Sequence, residues 1–158
     1  MKNRLFLPLF VIVIIVFLDQ LSKTWILYEF ENPETVWHIF PFLNIILTWN
    51  KGIGFGFLKA NDVWQMAFLI MLAAGISAVL GVWISKTTDK LQIVCLSMII
   101  GGAIGNIIDR LHFGAVVDFI FVPVYIFGYR FPAFNIADSA ITVGVCLWFI
   151  ESYVRKKK

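Results

Sequence analysis

Charge is scarce in this chain. Asp, Glu, Lys and Arg make up 15% of the 158 residues and apolar types 60%, where a soluble domain carries about 25% and about 45–50%. That shortage excludes a soluble globular protein and points to an integral membrane protein. The apolar runs are too closely spaced to build two cores, so residues 1–158 are expected to form one domain. The positive surplus is small, +3, and is not gathered on a soluble face. Four of the 13 basic residues lie in Arg155-Lys156-Lys157-Lys158, and two more, Lys2 and Arg4, open the chain. No nucleic-acid partner is expected.

The usual catalytic signatures are missing as well. There is no GxSxG, and Ser139 has no histidine or lysine close by in sequence to activate it. His38 and His112 stand alone, without the HExxH spacing of zinc hydrolases. Gly52, Gly54 and Gly56 lead into neither a phosphate loop nor a dinucleotide fingerprint. Neither a metal nor a cofactor is expected. Cys95 and Cys146 lie inside apolar runs without CxxC spacing and read as buried, reduced thiols. Carboxylates remain as the groups able to do chemistry.

Long apolar runs are what the chain does have. Crossing a bilayer core takes about 20 apolar residues, and four stretches qualify, at about 5–27, 63–84, 91–111 and 131–153. The first looks like a secretory signal, but Phe17-Leu18-Asp19-Gln20 follows it instead of a small-x-small cleavage site, so it is expected to stay as a span. Lys2, Arg4, Lys86, Lys90 and the four residues from Arg155 to Lys158 fall on one side, 8 of 13 basic residues. The positive-inside rule then puts both termini in the cytoplasm. The expected fold is mainly α and polytopic: four transmembrane helices with a small β/loop subdomain on the outer face.

Two long outer loops, 28–62 and 112–130, follow from that topology. Residues 35–48 are β-prone with Pro41 as punctuation, so short strands are expected there, followed by an interfacial helix or loop. Trp37, Phe40, Phe42, Trp49, Phe55 and Phe57 fit either interfacial anchors or a substrate platform. In the second loop Asp118 is the only acid, and so apolar a segment is expected to lie on or in the membrane surface.

Ionisable groups at membrane depth cost a few kcal/mol each, roughly, on insertion scales, and seldom persist without a job. Asp19, Asp109, Asp118 and Asp138 all fall on the outer side in this topology. Two carboxylates that meet, Asp118 and Asp138, suffice to activate a water molecule by acid–base chemistry. On the third span Asn106, Asp109 and Arg110 share a helix face, above a Gly101/Gly105 pair that admits a close neighbour. Asp109 and Arg110 are expected to form an organising ion pair, to hold a backbone segment near the site, or to act as interhelical glue. A carboxylate beside an arginine stays ionised and makes a poor proton donor, which favours support over catalysis. On the fourth span Asn135, Asp138 and Thr142 form a polar stripe. Asp19 and Lys23 stand at i and i+4, an ion pair whose lysine stem is expected to snorkel outward. A proton-coupled transporter or channel subunit is the rival reading, and a non-catalytic lipid-binding or assembly factor is a second. Against the first, the polar residues are confined to one face, and residues 1–85 and 86–158 show no inverted repeat.

These segments together resemble the lipoprotein signal peptidases (signal peptidase II), bacterial membrane aspartic peptidases. The resemblance spans nearly the whole chain: Asp19-Gln20-Leu21-Ser22-Lys23, Asn50-Lys51-Gly52, Gly101 to Asn106 running into Asp109-Arg110, Val116-Val117-Asp118-Phe119, and Phe134 to Ser139. It implies a catalytic dyad of Asp118 and Asp138. Asp19, Asn50, Gly52, Asn106, Asp109, Arg110, Asn135 and Ala137 would shape the site or contact substrate, with Lys23 supporting them. The family usually has two alanines and an aromatic after Asn-x-Gly, whereas this chain has Ile53-Gly54-Phe55. The implied substrate is a prolipoprotein carrying diacylglyceryl on the cysteine after its signal peptide, cut just before that cysteine. The implied setting is the bacterial cytoplasmic (inner) membrane, with the site near its outer face and membrane lipids around it. A monomer is the expected state. The dyad would share one proton, and the residues alone leave open which aspartate holds it.

Overall fold

Each long helix begins or ends at a residue whose side chain or backbone suits that task. The computed structural model describes residues 5–30, 35–52, 62–126 and 129–156. Helix α1 (Phe6–Glu29) carries Pro8 in its first turn, where the missing N–H costs no helical hydrogen bond. Strands β1 (Trp37–Phe40) and β2 (Leu43–Asn50) flank a turn at Pro41 and Phe42. Asp62 caps α2 (Val63–Lys86) by accepting from Gln65 N at 2.9 Å, and Asp89 caps α3 (Lys90–Phe113) by accepting from Gln92 N at 2.8 Å. Gly114, at φ 69° in the left-handed region, ends α3. Beyond it come β3 (Val116–Phe121), the short ribbon of β4 (Tyr125–Ile126) and β5 (Tyr129–Arg130), and α4 (Ile136–Lys156).

Four of the described helices are long and apolar enough to cross a membrane. Half of the α3 span is buried, against 17% or less of the other three, so α3 is the centre of the bundle. Small residues let its neighbours close in. A Cβ on Gly101 would stand 2.9 Å from Cβ of Ile15 on α1, and one on Gly102 would stand 2.7 Å from Ile141 Cγ1 on α4. Helices α1 and α3 run parallel, since Ile15 meets Gly101 and Asp19 meets Gly105, while α4 runs against α3. The C-terminal ends of α1 and α3 and the N-terminal ends of α2 and α4 therefore share one end of the bundle.

The sheet covers that end. Strands β1, β2 and β3 pair antiparallel in that order, with Thr48 opposite Asp118 and Asn50 opposite Val116. Phe119 packs on Ile26 of α1 and on Phe30 just beyond its end, with Trp37, Ile45 and Leu47 around them. The other edge of β3 binds the chain before α4, where Phe119 N and Ile120 N both donate to Phe134 O.

Three expectations need correction. The fourth helix starts at Ile136, not near 131, because Phe134 pairs with β3 and Asn135 caps the helix by accepting from Asp138 N at 2.9 Å. The segment Val116–Phe121, expected within an apolar loop, is a strand. Its β-branched and aromatic residues make a buried strand whose backbone pairs with β2. Cys146 is exposed on α4, while Cys95 is buried. Residues 53–61, where an interfacial helix or loop with Phe55 and Phe57 was expected and where Ile53-Gly54-Phe55 departs from the family, lie outside the described residues.

Candidate active site

Lys23 is the anchor of the site. Its ammonium lies 2.7 Å from Asp19 Oδ2, 2.8 Å from Asp109 Oδ2 and 3.2 Å from Asn106 Oδ1. Lys23 is 2% exposed and both acids 0%, so three charges are taken out of solvent together. Such a cluster holds only with good geometry and further hydrogen bonds. These are present: Gln20 Nε2 donates to Asp109 Oδ1, Asp19 Oδ2 and Gly105 O. The two carboxylates also reach beyond the lysine. Asp19 Oδ1 accepts the Ala137 N–H at 2.9 Å, and Asp109 Oδ2 accepts the Val117 N–H at 3.0 Å. Gly105 is needed here, since a Cβ on it would stand 2.5 Å from Asp19 Oδ2.

Three asparagines carry the arrangement to Asp118 and Asp138. Each is locked by a donor on one side and presents its NH2 on the other. Asn50 Oδ1 accepts the Gly52 N–H, and its Nδ2 donates to Asp118 Oδ2 at 2.9 Å. Asn135 Oδ1 accepts the Asp138 N–H, and its Nδ2 donates to Asp118 Oδ1 at 2.7 Å. Asn106 Oδ1 takes the lysine, and its Nδ2 donates to Asp138 Oδ1 at 2.7 Å. Three oriented donors thus face two carboxylates, an arrangement that stabilises negative charge there.

The two aspartates sit differently. Asp138 is in the first turn of α4, where the helix N-terminus favours an anion. It lines a cleft of about 670 Å³ between α2, α3 and α4. Asp118, on β3, is 1% exposed. Burial, then the neighbouring charge of Asp138, pushes its carboxyl up to about 7, against the pull of Asn50, Lys23 and Asn135. A carboxylate pair with one member titrating near neutrality can give and take a proton. The cleft is otherwise mostly apolar, walled by Leu69, Leu72 and Ile76 of α2, Ile99 and Ala103 of α3, and Ile141 of α4. Arg110 lies at its polar end, donating to Gly52 O at 3.0 Å and to Asn106 O at 3.3 Å.

Asp19, Lys23, Asn50, Gly52, Asn106, Asp109, Arg110, Asn135 and Ala137 all fall in this one cluster around the two aspartates. The partners differ from expectation. Asp109 pairs with Lys23 and not with Arg110, because consecutive helical residues point away from each other. Each holds backbone, the second of the roles expected for the pair: Asp109 the Val117 amide, Arg110 the Gly52 carbonyl. Lys23 does not snorkel, since two carboxylates and an amide hold it inside. Sequence reasoning gave no role to Gln20, which ties Asp19 to Asp109. An amide next to an acid in an apolar span was the available signal.

Fold and site define a multi-pass membrane protein with a buried cluster of aspartates, asparagines and a lysine beside an apolar cleft. A family model described as Signal peptidase (SPase) II matches residues 11–154. A lipoprotein signal peptidase of Shewanella loihica is 41% identical over 150 residues, covering 94% of this chain and 86% of that protein. One of Rhodopseudomonas palustris is 39% identical over 145 residues, covering 90% and 88%. A solved structure described as a bacterial membrane enzyme superposes with a TM-score of 0.80 at 34% identity, over 96% of this chain and 89% of that one. The chain belongs to the signal peptidase II family.

Proposed function

We propose that the protein is an aspartic endopeptidase that removes the signal peptide from diacylglyceryl-modified prolipoproteins, cutting before the lipidated cysteine. Its family and its curated relatives, lipoprotein signal peptidases at 37–45% identity, support the peptidase and its substrate class. One observation carries the aspartic chemistry: Asp118 and Asp138 are held in one hydrogen-bond network through Asn106 and Asn135, and Asp138 opens on an apolar cleft. The ionised aspartate takes a proton from water as the water oxygen attacks the scissile carbonyl. The protonated one hydrogen-bonds the carbonyl oxygen, and a proton then passes to the leaving amine as the C–N bond breaks. The apolar walls of the cleft suit a lipid-bearing, membrane-embedded substrate, and water kept out by them strengthens each electrostatic contact.

The surroundings belong to the same proposal. Residues 1–158 act as one peptidase domain of the bacterial inner membrane, surrounded by lipid and functioning as a monomer. Both termini are cytoplasmic and the site is on the outer side, as the excess of Lys and Arg near the termini and near residues 86–90 supports. A cysteine at the exposed Lys51, with Cys95 and Cys146 replaced, should react with an impermeant thiol reagent only from outside. Labelling from the cytoplasm reverses the orientation. The function is tested by cleavage of a diacylglyceryl-modified precursor. Activity should survive chelators and fail on a precursor lacking the lipid. A proton-coupled transporter or channel subunit would instead leave the precursor intact.

A further inference from the structure

Among the described residues, the Lys23 ammonium has three partners on two helices, and each reaches on to a segment that carries a dyad aspartate. Asp19 grips the amide of Ala137, the residue before Asp138. Asp109 grips the amide of Val117, the residue before Asp118. Asn106, its oxygen held by the ammonium, turns its NH2 to Asp138. A lysine that merely neutralised two acids would need none of these onward contacts. We propose that Lys23 is a positioning residue of the peptidase: its ammonium sets where β3 and the start of α4 stand relative to each other and keeps the two aspartates at one shared proton. The inference rests on the aspartic reading above.

Charge supports it. Among the described residues, the charged groups facing the dyad are Asp19 and Lys23 of α1 and Asp109 and Arg110 of α3, while β2 brings the neutral Asn50 and α2 brings the apolar Leu69, Leu72 and Ile76. With both dyad members ionised, four carboxylates would face two cations. One shared proton leaves three. Lys23 acts on Asp118 against burial, so its loss lets that carboxyl rise above about 7. The alkaline limb of the pH–rate profile, where the dyad loses its proton, should then move to higher pH. A purely structural lysine would lower the amount of active enzyme and leave that limb in place.

The test is cleavage of a diacylglyceryl-modified precursor peptide by purified Lys23→Met across the pH range. The kcat should fall about 100-fold, as for a misplaced catalytic group, with KM nearly unchanged and the alkaline limb displaced upward. Lys23→Arg, which keeps the charge, should lose less kcat and keep the parental limb. A folded Lys23→Met with parental kcat, or with an unmoved limb, overturns the proposal. Lys23→Met leaves two buried carboxylates without their cation. If it does not fold, Asn106→Ala decides, because it keeps both carboxylates on Lys23 and removes the amide that joins the ammonium, and Asn135, to Asp138. A comparable loss of kcat at a parental melting temperature supports the proposal, and parental kcat overturns it. Asp118→Asn and Asp138→Asn run alongside as controls. Turnover by either means that the aspartic reading has failed, whereas two inactive controls beside a parental Lys23→Met mean that only the positioning role has.

Discussion

Among the described residues, two ion clusters join helices, one at each end of the bundle. At the site end, Lys23 bridges Asp19 and Asp109 in full burial, and both acids hold backbone amides of neighbouring segments. At the opposite end, Arg155 of α4 pairs with Asp89, the cap of α3, and with Glu151 one turn away on its own helix. The Arg155 side chain is 55% exposed. Both clusters tie α3 to a neighbour. The exposed one loses little in forming and adds little, since solvent screens it and two long side chains must be held still. The buried one carries a desolvation cost that a plain apolar contact between α1 and α3 would avoid. Its position supplies the compensation: it fixes the two chain segments on which the aspartates ride.

The sharpest test of the contrast lies at the aspartates themselves. Asp118→Asn and Asp138→Asn should each lower precursor cleavage by about 10²–10⁴-fold, the range for losing a general acid or base. Neither should unfold the protein. At Asp118 the new amide loses one acceptor opposite Asn50 or Asn135, which destabilises, but it also removes repulsion from Asp138. A melting temperature within a few degrees of the parent is expected. Cleavage by either purified variant would break the two-aspartate mechanism.

Next comes the buried cluster. Asp109→Ala leaves Lys23 with one carboxylate, leaves the Val117 amide without its acceptor and removes one of the three acceptors of Gln20. Breaking a buried pair from one side costs about 3–5 kcal/mol, so thermal stability and turnover should fall together. Equal stability with lost activity, alongside an unstable Asp118→Asn, would mean that the two acids have been assigned in reverse.

The contrast also explains what could be read from sequence. Span number and the gathering of polar residues at one end were legible, because hydropathy sets the first and the alternation of span direction sets the second. Residue-by-residue pairing was less so. Asp19 and Lys23 could be paired because i and i+4 stack on a helix. Asp109 stands beside Arg110 in sequence but turns to a lysine from another helix, and no spacing rule within α3 announces that partner. Strand β3 was hidden for a related reason. Val116–Phe121 is buried on both faces and apolar but for Asp118, so it lacks the alternation that marks a half-exposed strand, and its pairing with β2 is a long-range contact. The same limit applies to Asn50 and Asn106, whose locking donors come from different elements or from a turn.

A pH series gives a smaller effect with a definite sign. Asp118 titrates near 7 in the fold against an ordinary value of 3.8, so between those values the folded protein binds more protons than the unfolded chain. Its contribution to stability is present below about 4 and is lost as the pH rises through about 7. Thermal melts of the parent and of Asp118→Asn in one detergent should therefore converge or cross as pH rises over that interval. A parent that gains stability relative to the variant over the same interval would show Asp118 held as an anion by Asn50 and Asn135.

The smallest change is expected at the far end. Arg155→Ala removes the link from α4 to Asp89 but leaves Asp89 Oδ1 accepting from Gln92 N, so the cap of α3 survives. The arginine is more than half exposed, and exposed pairs are worth about 0–1 kcal/mol. Its loss leaves the Glu151 side chain, 9% exposed, without its cation, but that carboxylate is less deeply buried than Lys23, Asp19 and Asp109. Melting temperature should drop by no more than a few degrees, and cleavage of the lipid-modified precursor should stay at the parental rate, since no part of this cluster reaches the aspartates. Raising the salt concentration should erase most of the difference in stability between Arg155→Ala and the parent, while the deficit of Asp109→Ala should persist, because salt screens surface charges and not buried ones. If Arg155→Ala were as damaging as Asp109→Ala, burial would not be what separates the two clusters, and the far end would have to be coupled to the site through α4.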